Sequence, residues 1–106
     1  MLILLFALFS FKKQTPEEFR MIVDDAFPLS DGKVVVTGQI KQGTLSVGDR
    51  ITFSYQKNTY ELPVENLEIF GVPAGTKTAL AGQYTGLHVS GVPKHYFQHG
   101  AEIGKK

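Results

Sequence analysis

Cysteine is absent from this 106-residue chain, which excludes a disulfide framework, a thiol nucleophile and a cysteine-ligated zinc site. Nothing therefore marks a redox compartment. An excess of charge of one sign is lacking too: eleven Lys and Arg face ten Asp and Glu, for a formal net charge of +1. Such a balance supplies no overall field for a nucleic acid, so any contact of that kind needs a local patch. No Gly-x-x-x-x-Gly-Lys-Ser/Thr loop occurs, which excludes GTP binding by a P-loop in this chain. Neither a Gly-x-Ser-x-Gly elbow nor a Ser/His/Asp set suggests itself, and no enzyme is expected. Internal repeats and low-complexity tracts are missing as well.

Long hydrophobic runs are confined to one place. Met1 to Phe11 is apolar except for Ser10, and Lys12-Lys13 follows. As a helix this run rises roughly 16 Å, about half of a hydrocarbon core of about 30 Å, so it is too short to span a bilayer. It lacks the basic start and the small-x-small end of a signal peptide. Three readings stay open: a shallow membrane anchor with the two lysines at the head groups, the tail of a longer span, or a helix that packs on the domain or self-associates. Residues 1–13 are therefore set apart as an apolar N-terminal segment. Residues 14–18 form a linker with a helix-start signature, Thr15 as N-cap, Pro16 at N1 and Glu18 at N3.

From residue 19 onwards the pattern changes to short β-branched and aromatic runs punctuated by glycine and proline, which describes an all-β domain. Strands are expected over 19–27, 33–41, 50–56, 59–63 and 64–70, with another leading up to Val92 and a short closing one over 101–104. Lys57-Asn58 reads as a hairpin turn, and 42–49 and 93–100 as corner and loop. Six or seven short strands with glycine corners predict a closed antiparallel Greek-key barrel. Gly38, Gly43, Gly48, Gly82, Gly86 and Gly91 suit corners or close approach. Val35, Ile40, Ile51, Phe53, Leu67, Ile69 and Leu87 are expected in the core.

The motifs inside those strands are more specific than the pattern. Asp24-Asp25-x-Phe27 precedes Val35-Val36-Thr37-Gly38, a Gly43-x-x-x-Val47-Gly48-Asp49 corner follows, and then Leu67-Glu68-Ile69-Phe70, Ala81-Gly82 with Gly86, Gly91-Val92 and Gly100-Ala101-Glu102-Ile103. In this order and spacing the chain from Phe19 to Gly104 resembles the second, β-barrel domain of translational GTPases such as elongation factor Tu, without the GTPase domain. The resemblance implies a non-catalytic, cytoplasmic binding module that contacts transfer RNA, the ribosome or another translation component. In elongation factor Tu this barrel helps hold the acylated end of the transfer RNA, and the matching contact residues here are Asp24, Asp25 and Glu68. The alternative is a protein-interaction barrel tethered to the inner face of a membrane, or to an oligomer, through residues 1–11.

The chain departs from the family at three points: Gly71-Val72 stands where a basic residue is usual, Ser90 where Arg often precedes the corner glycine, and Tyr84 at an Asn-like position. Loss of cations lowers any grip on a phosphate backbone. Asp24 and Asp25 are neighbours on a strand, so they are expected on opposite faces and unable to share a proton. His95 and His99 have helical spacing but lie between Pro93 and Gly100, and with His88 they suggest no metal site. No cofactor is expected. Tyr55, Tyr60, Tyr84, Tyr96 and Phe97 could stack bases, and Tyr96-Phe97 is the candidate loop recognition element, unless Phe97 anchors the loop by burial.

Overall fold

A run of three valines conceals its own register, because each suits a pleated strand equally. In the computed structural model, which describes residues 18–106, the run opens β2 (Val34–Gln42), with Val34, Val36 and Ile40 buried and Val35 half-buried. β2 pairs antiparallel with β1 (Arg20–Pro28) on one side and β8 (Tyr84–Val89) on the other. Outside β8 lies β6 (Asn66–Ile69); outside β1 lie β9 (Glu102–Lys105), β4 (Arg50–Tyr55) and β5 (Asn58–Pro63). These seven strands form one antiparallel sheet in the order β5-β4-β9-β1-β2-β8-β6. A separate ribbon joins β3 (Thr44–Ser46) to β7 (Thr78–Leu80) and buries Leu45 and Ala79. The sheet curls around Met21, Val23, Val36, Ile51, Leu87 and Ile103, all at most 1% exposed.

The expected closed barrel is corrected to a curled, open one. β5 and β6 are the two sheet edges, yet only Val64 and Glu65 separate them in sequence. Three peptide steps bring the edges within about 11 Å, but two strands that run on without reversing cannot form an antiparallel ladder. The seam is made by a corner instead: Gly48 N–H donates to the Val64 carbonyl (2.9 Å) and Val64 N–H to the Asp49 carbonyl (2.8 Å).

Other boundaries moved for local reasons. The β4–β5 hairpin turns at Gln56-Lys57, not Lys57-Asn58; both turn residues have positive φ (50° and 71°), as a two-residue hairpin matching strand twist requires. The corner over 42–49 contains β3, and the approach to β8 contains β7; three-residue strands leave almost no period to read. The loop before β9 holds a 3₁₀ turn, Lys94–Tyr96, and buried Phe97 packs on Phe53 with ring centroids 4.5 Å apart. Residues 1–17 lie outside the described residues, and with them the apolar segment and all of the 14–18 linker but Glu18. No helix among the described residues is long and apolar enough to cross a membrane.

One core position is mismatched. Thr85 is fully buried on β8, and its hydroxyl has no hydrogen-bond partner. An isosteric methyl there removes the unpaired group, so Thr85→Val is expected to add about 1 kcal/mol of stability. Thermal unfolding should show a midpoint higher by about 4–8 °C. A lower midpoint would mean that the hydroxyl is satisfied in solution.

Candidate functional site

The outward rows of β1, β2, β8 and β6 assemble one continuous surface. Register sets Ile22, Gln39 and Tyr84 in one row, Asp25, Thr37, Gly86 and Glu68 in the next, and Phe27, Val35, His88 and Asn66 in the third. Side chains two apart on a strand share a face, so these rows stack into a patch. Gly86 makes its floor: a Cβ there would stand 3.1 Å from Val35 Cγ1 and 3.9 Å from Glu68 Cβ. Phe27 and Phe70, 48% and 68% exposed, stand on opposite sides, and Phe70 meets the Tyr84 ring edge-on at 5.2 Å. A groove of about 630 Å³ runs along β6 and the following loop, lined by Glu68, Phe70, Val72, Pro73 and Lys77 among others.

Asp24 and Asp25 both reach solvent on this part of the surface, which overturns the expectation of opposite faces. The ladder pairs Val23 with Gly38 and Asp25 with Thr37, leaving Asp24 as the extra residue of a β-bulge. Inward positions accordingly run Met21, Val23, Ala26, and both acids fall on the exposed side. A bulge re-aims side chains in this way and increases local twist. The Asp25 carboxylate accepts the backbone N–H of Ala26 (2.8 Å). The Tyr84 hydroxyl donates to Asp24 Oδ2 (2.5 Å) and lies 3.2 Å from Thr37 Oγ1. That bond to a carboxylate, before all else, raises the Tyr84 pKa above the usual phenol value, so the hydroxyl stays a donor at neutral pH.

Glu68 sits in the same row as Asp25, across the Gly86 floor, and its Oε2 lies 2.7 Å from His88 Nε2. His88 is mostly covered and Glu68 mostly open, so the imidazole holds an exposed carboxylate in place. At the lower edge Glu65 accepts from Ser90 Oγ (2.6 Å) and pairs with Lys33 (3.2 Å). These two contacts, Ser90 first, keep its carboxyl below the ordinary range. The serine at the Arg-like position therefore serves an acid of its own. The patch is thus acidic and bordered by aromatic rings.

The sequence offers Tyr84 only as a family departure and a candidate stacking aromatic, and His88 only as a strand histidine; the register shows that they adjoin Asp24 and Glu68. His99 was likewise a loop residue, yet its Nδ1 lies 2.9 Å from the Asp24 carbonyl oxygen and 3.7 Å from its carboxylate. Tyr96 and Phe97 lie elsewhere, at the end of the sheet beside β4 and β5. Phe97 is 5% exposed and anchors its loop, so of that pair only Tyr96 meets solvent. Among the described residues no group of three or more His, Asp and Glu could hold a metal ion.

No family model matches the chain. Solved structures do. Translation elongation factor SelB from Methanococcus maripaludis, in its apo form, matches with a TM-score of 0.72 at 28% sequence identity, over 87% of this chain and 20% of that one. The chain resembles a barrel domain of translation elongation factors. Bacterial selenocysteine-specific elongation factor EF-Sec gives the same TM-score, 0.72, at 21% identity, over 96% of this chain and 18% of that one; at that identity the likeness is one of fold. The chain thus spans about a fifth of the length of each factor. The geometry presents a curled sheet that resembles a translation-factor barrel domain and carries an acidic, aromatic outer patch.

Proposed function

We propose that the chain is a non-catalytic binding module of the translation-factor type, and that the Asp24, Asp25 and Glu68 face takes the acylated end of a transfer RNA. The observation that carries this reading is the bulge, which turns both aspartates outward onto the same surface as Glu68. Carboxylates accept hydrogen bonds from hydroxyls and ammonium groups, and an aminoacylated terminus offers ribose hydroxyls and a cationic α-amine. Phe27, Phe70 and Tyr84 supply apolar faces beside them. A bare phosphate backbone suits this patch poorly, because Lys33 is already engaged by Glu65. Recognition here therefore turns on the terminal group more than on the length of RNA.

The test is filter or fluorescence binding of the full chain to charged and uncharged transfer RNA. The charged form is expected to bind more tightly, and Glu68→Gln to weaken that preference by about tenfold, the loss of a charge-assisted hydrogen bond. Gln keeps the shape and a contact to His88, so the fold is retained. Equal affinity for the two forms, or an unchanged preference in Glu68→Gln, would sink the reading.

A further inference from the structure

A second site stands away from the acidic face, where the β4–β5 hairpin meets the 3₁₀ turn. Tyr55 and Tyr96 stack there with ring centroids 4.3 Å apart and 18° between planes. Tyr60 meets Tyr96 edge-on at 5.2 Å, and His95 meets Tyr55 edge-on at 5.7 Å. Beneath, Phe53 packs on Phe97 and Tyr60, so the outer rings rest on a buried base. Tyr55, Tyr60 and Tyr96 are themselves only half-buried, and His95 is exposed. Next to this stack is a pocket of about 250 Å³ lined by Ser54, Tyr55, Gln56, Tyr96, Gln98 and Ala101.

The chemistry of that lining is narrow. Tyr55 and Tyr96 cover one π-face of each other and border the pocket with the rest of their rings, so a base stacks on the outside of the pair. Gln56 and Gln98 each offer an amide donor beside an amide acceptor. That donor–acceptor pair matches the edge of a purine, adenine in particular, whose amino group and ring nitrogen present the complement. Lys57 follows Gln56 in the hairpin turn, and Lys94 opens the 3₁₀ turn that carries Tyr96. Neither lysine forms an ion pair with a described carboxylate, whereas Lys33, Lys105 and Lys106 each do. A planar ring flanked by phosphates, not a neutral sugar, uses all of these groups at once. The chain's near-zero net charge leaves such a local patch as the available source of attraction.

We infer that the Tyr55, Tyr96, Gln56 and Gln98 pocket binds a nucleobase of single-stranded RNA, with Lys57 and Lys94 on the adjoining phosphates. Aromatic stacking gives the affinity and the amides favour adenine. This site uses no residue of the acidic face.

The test is anisotropy of a labelled oligoadenylate and a labelled oligouridylate titrated with the full chain across a salt series. Saturable, salt-weakened binding is expected, tighter for oligoadenylate. Tyr96→Ala should lower affinity by about 5- to 150-fold, the range for removing one stacked base. Because Tyr96 also braces its turn, the exposed Gln98→Ala serves as a second variant and should erode the preference for oligoadenylate. Lys57→Gln with Lys94→Gln should reduce the salt slope by about one to two. Gln98→Ala should leave the preference for charged over uncharged transfer RNA unchanged, which separates the two sites. Absence of saturable binding at low salt, or parental affinity in both Tyr96→Ala and Gln98→Ala, overturns the inference.

Discussion

Gly38→Ala is expected to cost about 3 kcal/mol of stability, the upper part of the range for forcing atoms into a packed site. β1 meets β2 at its bulge, where Val23 faces Gly38. An alanine Cβ at 38 would stand 2.1 Å from the Ile22 carbonyl oxygen and 3.1 Å from its carbon. Those are backbone atoms, fixed by ladder bonds, so they cannot swing aside as the Met21 methyl could at 3.0 Å. The strands must separate, and the bulge that aims Asp24 and Asp25 must change with them. The thermal midpoint should fall by about 12 °C or more. Gly86→Ala is the control: its nearest neighbour is one Val35 methyl at 3.1 Å, a side-chain contact relieved by a shift of a few tenths of an ångström, so the loss should be smaller than at Gly38. A midpoint for Gly38→Ala within a degree or two of the parent would show that β1 and β2 part freely there.

The same residues explain why the fold was largely legible and the site only partly so. Glycine corners, β-branched runs and ordered motifs announce an all-β chain, because each acts locally on backbone conformation. Register is different. Val35 was expected in the core and lies on the outer face, since three successive valines carry no alternation. The bulge at Asp24 leaves no compositional mark, so two aspartates that alternation places on opposite faces share one. Ile69 differs in depth only: it packs against the core as expected, but a four-residue edge strand leaves it half-buried.

Sheet closure was illegible for a related reason. Counting strands implies a barrel, but closure depends on which edges can pair. Here the edges are consecutive strands, joined by Val64-Glu65 without a reversal. In the candidate site, Glu68 and the aspartates could be named from motif order. Their partners Tyr84 and His88 could not, because they are brought together by strands some twenty to sixty residues apart.

Asp49 is where motif and physics meet most fully, and its removal should be the second costly change. The Gly48-Asp49 corner does for the sheet edges what a ladder would otherwise do. Its backbone exchanges two hydrogen bonds with Val64, and the Asp49 side chain holds the corner's shape by accepting Ser46 N–H at 2.8 Å. Lys105, at the end of β9, reaches both Asp49 Oδ2 (3.4 Å) and the Thr44 carbonyl (2.9 Å). One carboxylate therefore links the corner, β3 and the closing strand. Asp49→Ala strands a partly buried backbone donor and leaves Lys105 with one acceptor, and should cost about 2 kcal/mol. Asp49→Asn keeps an acceptor for Ser46 and removes only the ion pair, which is partly exposed, so about 0.5 kcal/mol should be lost. Urea unfolding of both variants, of Lys105→Met and of the double variant Asp49→Asn/Lys105→Met completes a double-mutant cycle that separates the two contributions. If Asp49→Asn proves as damaging as Asp49→Ala, the charge rather than the turn bond secures the seam, and the corner must be understood as an electrostatic clasp.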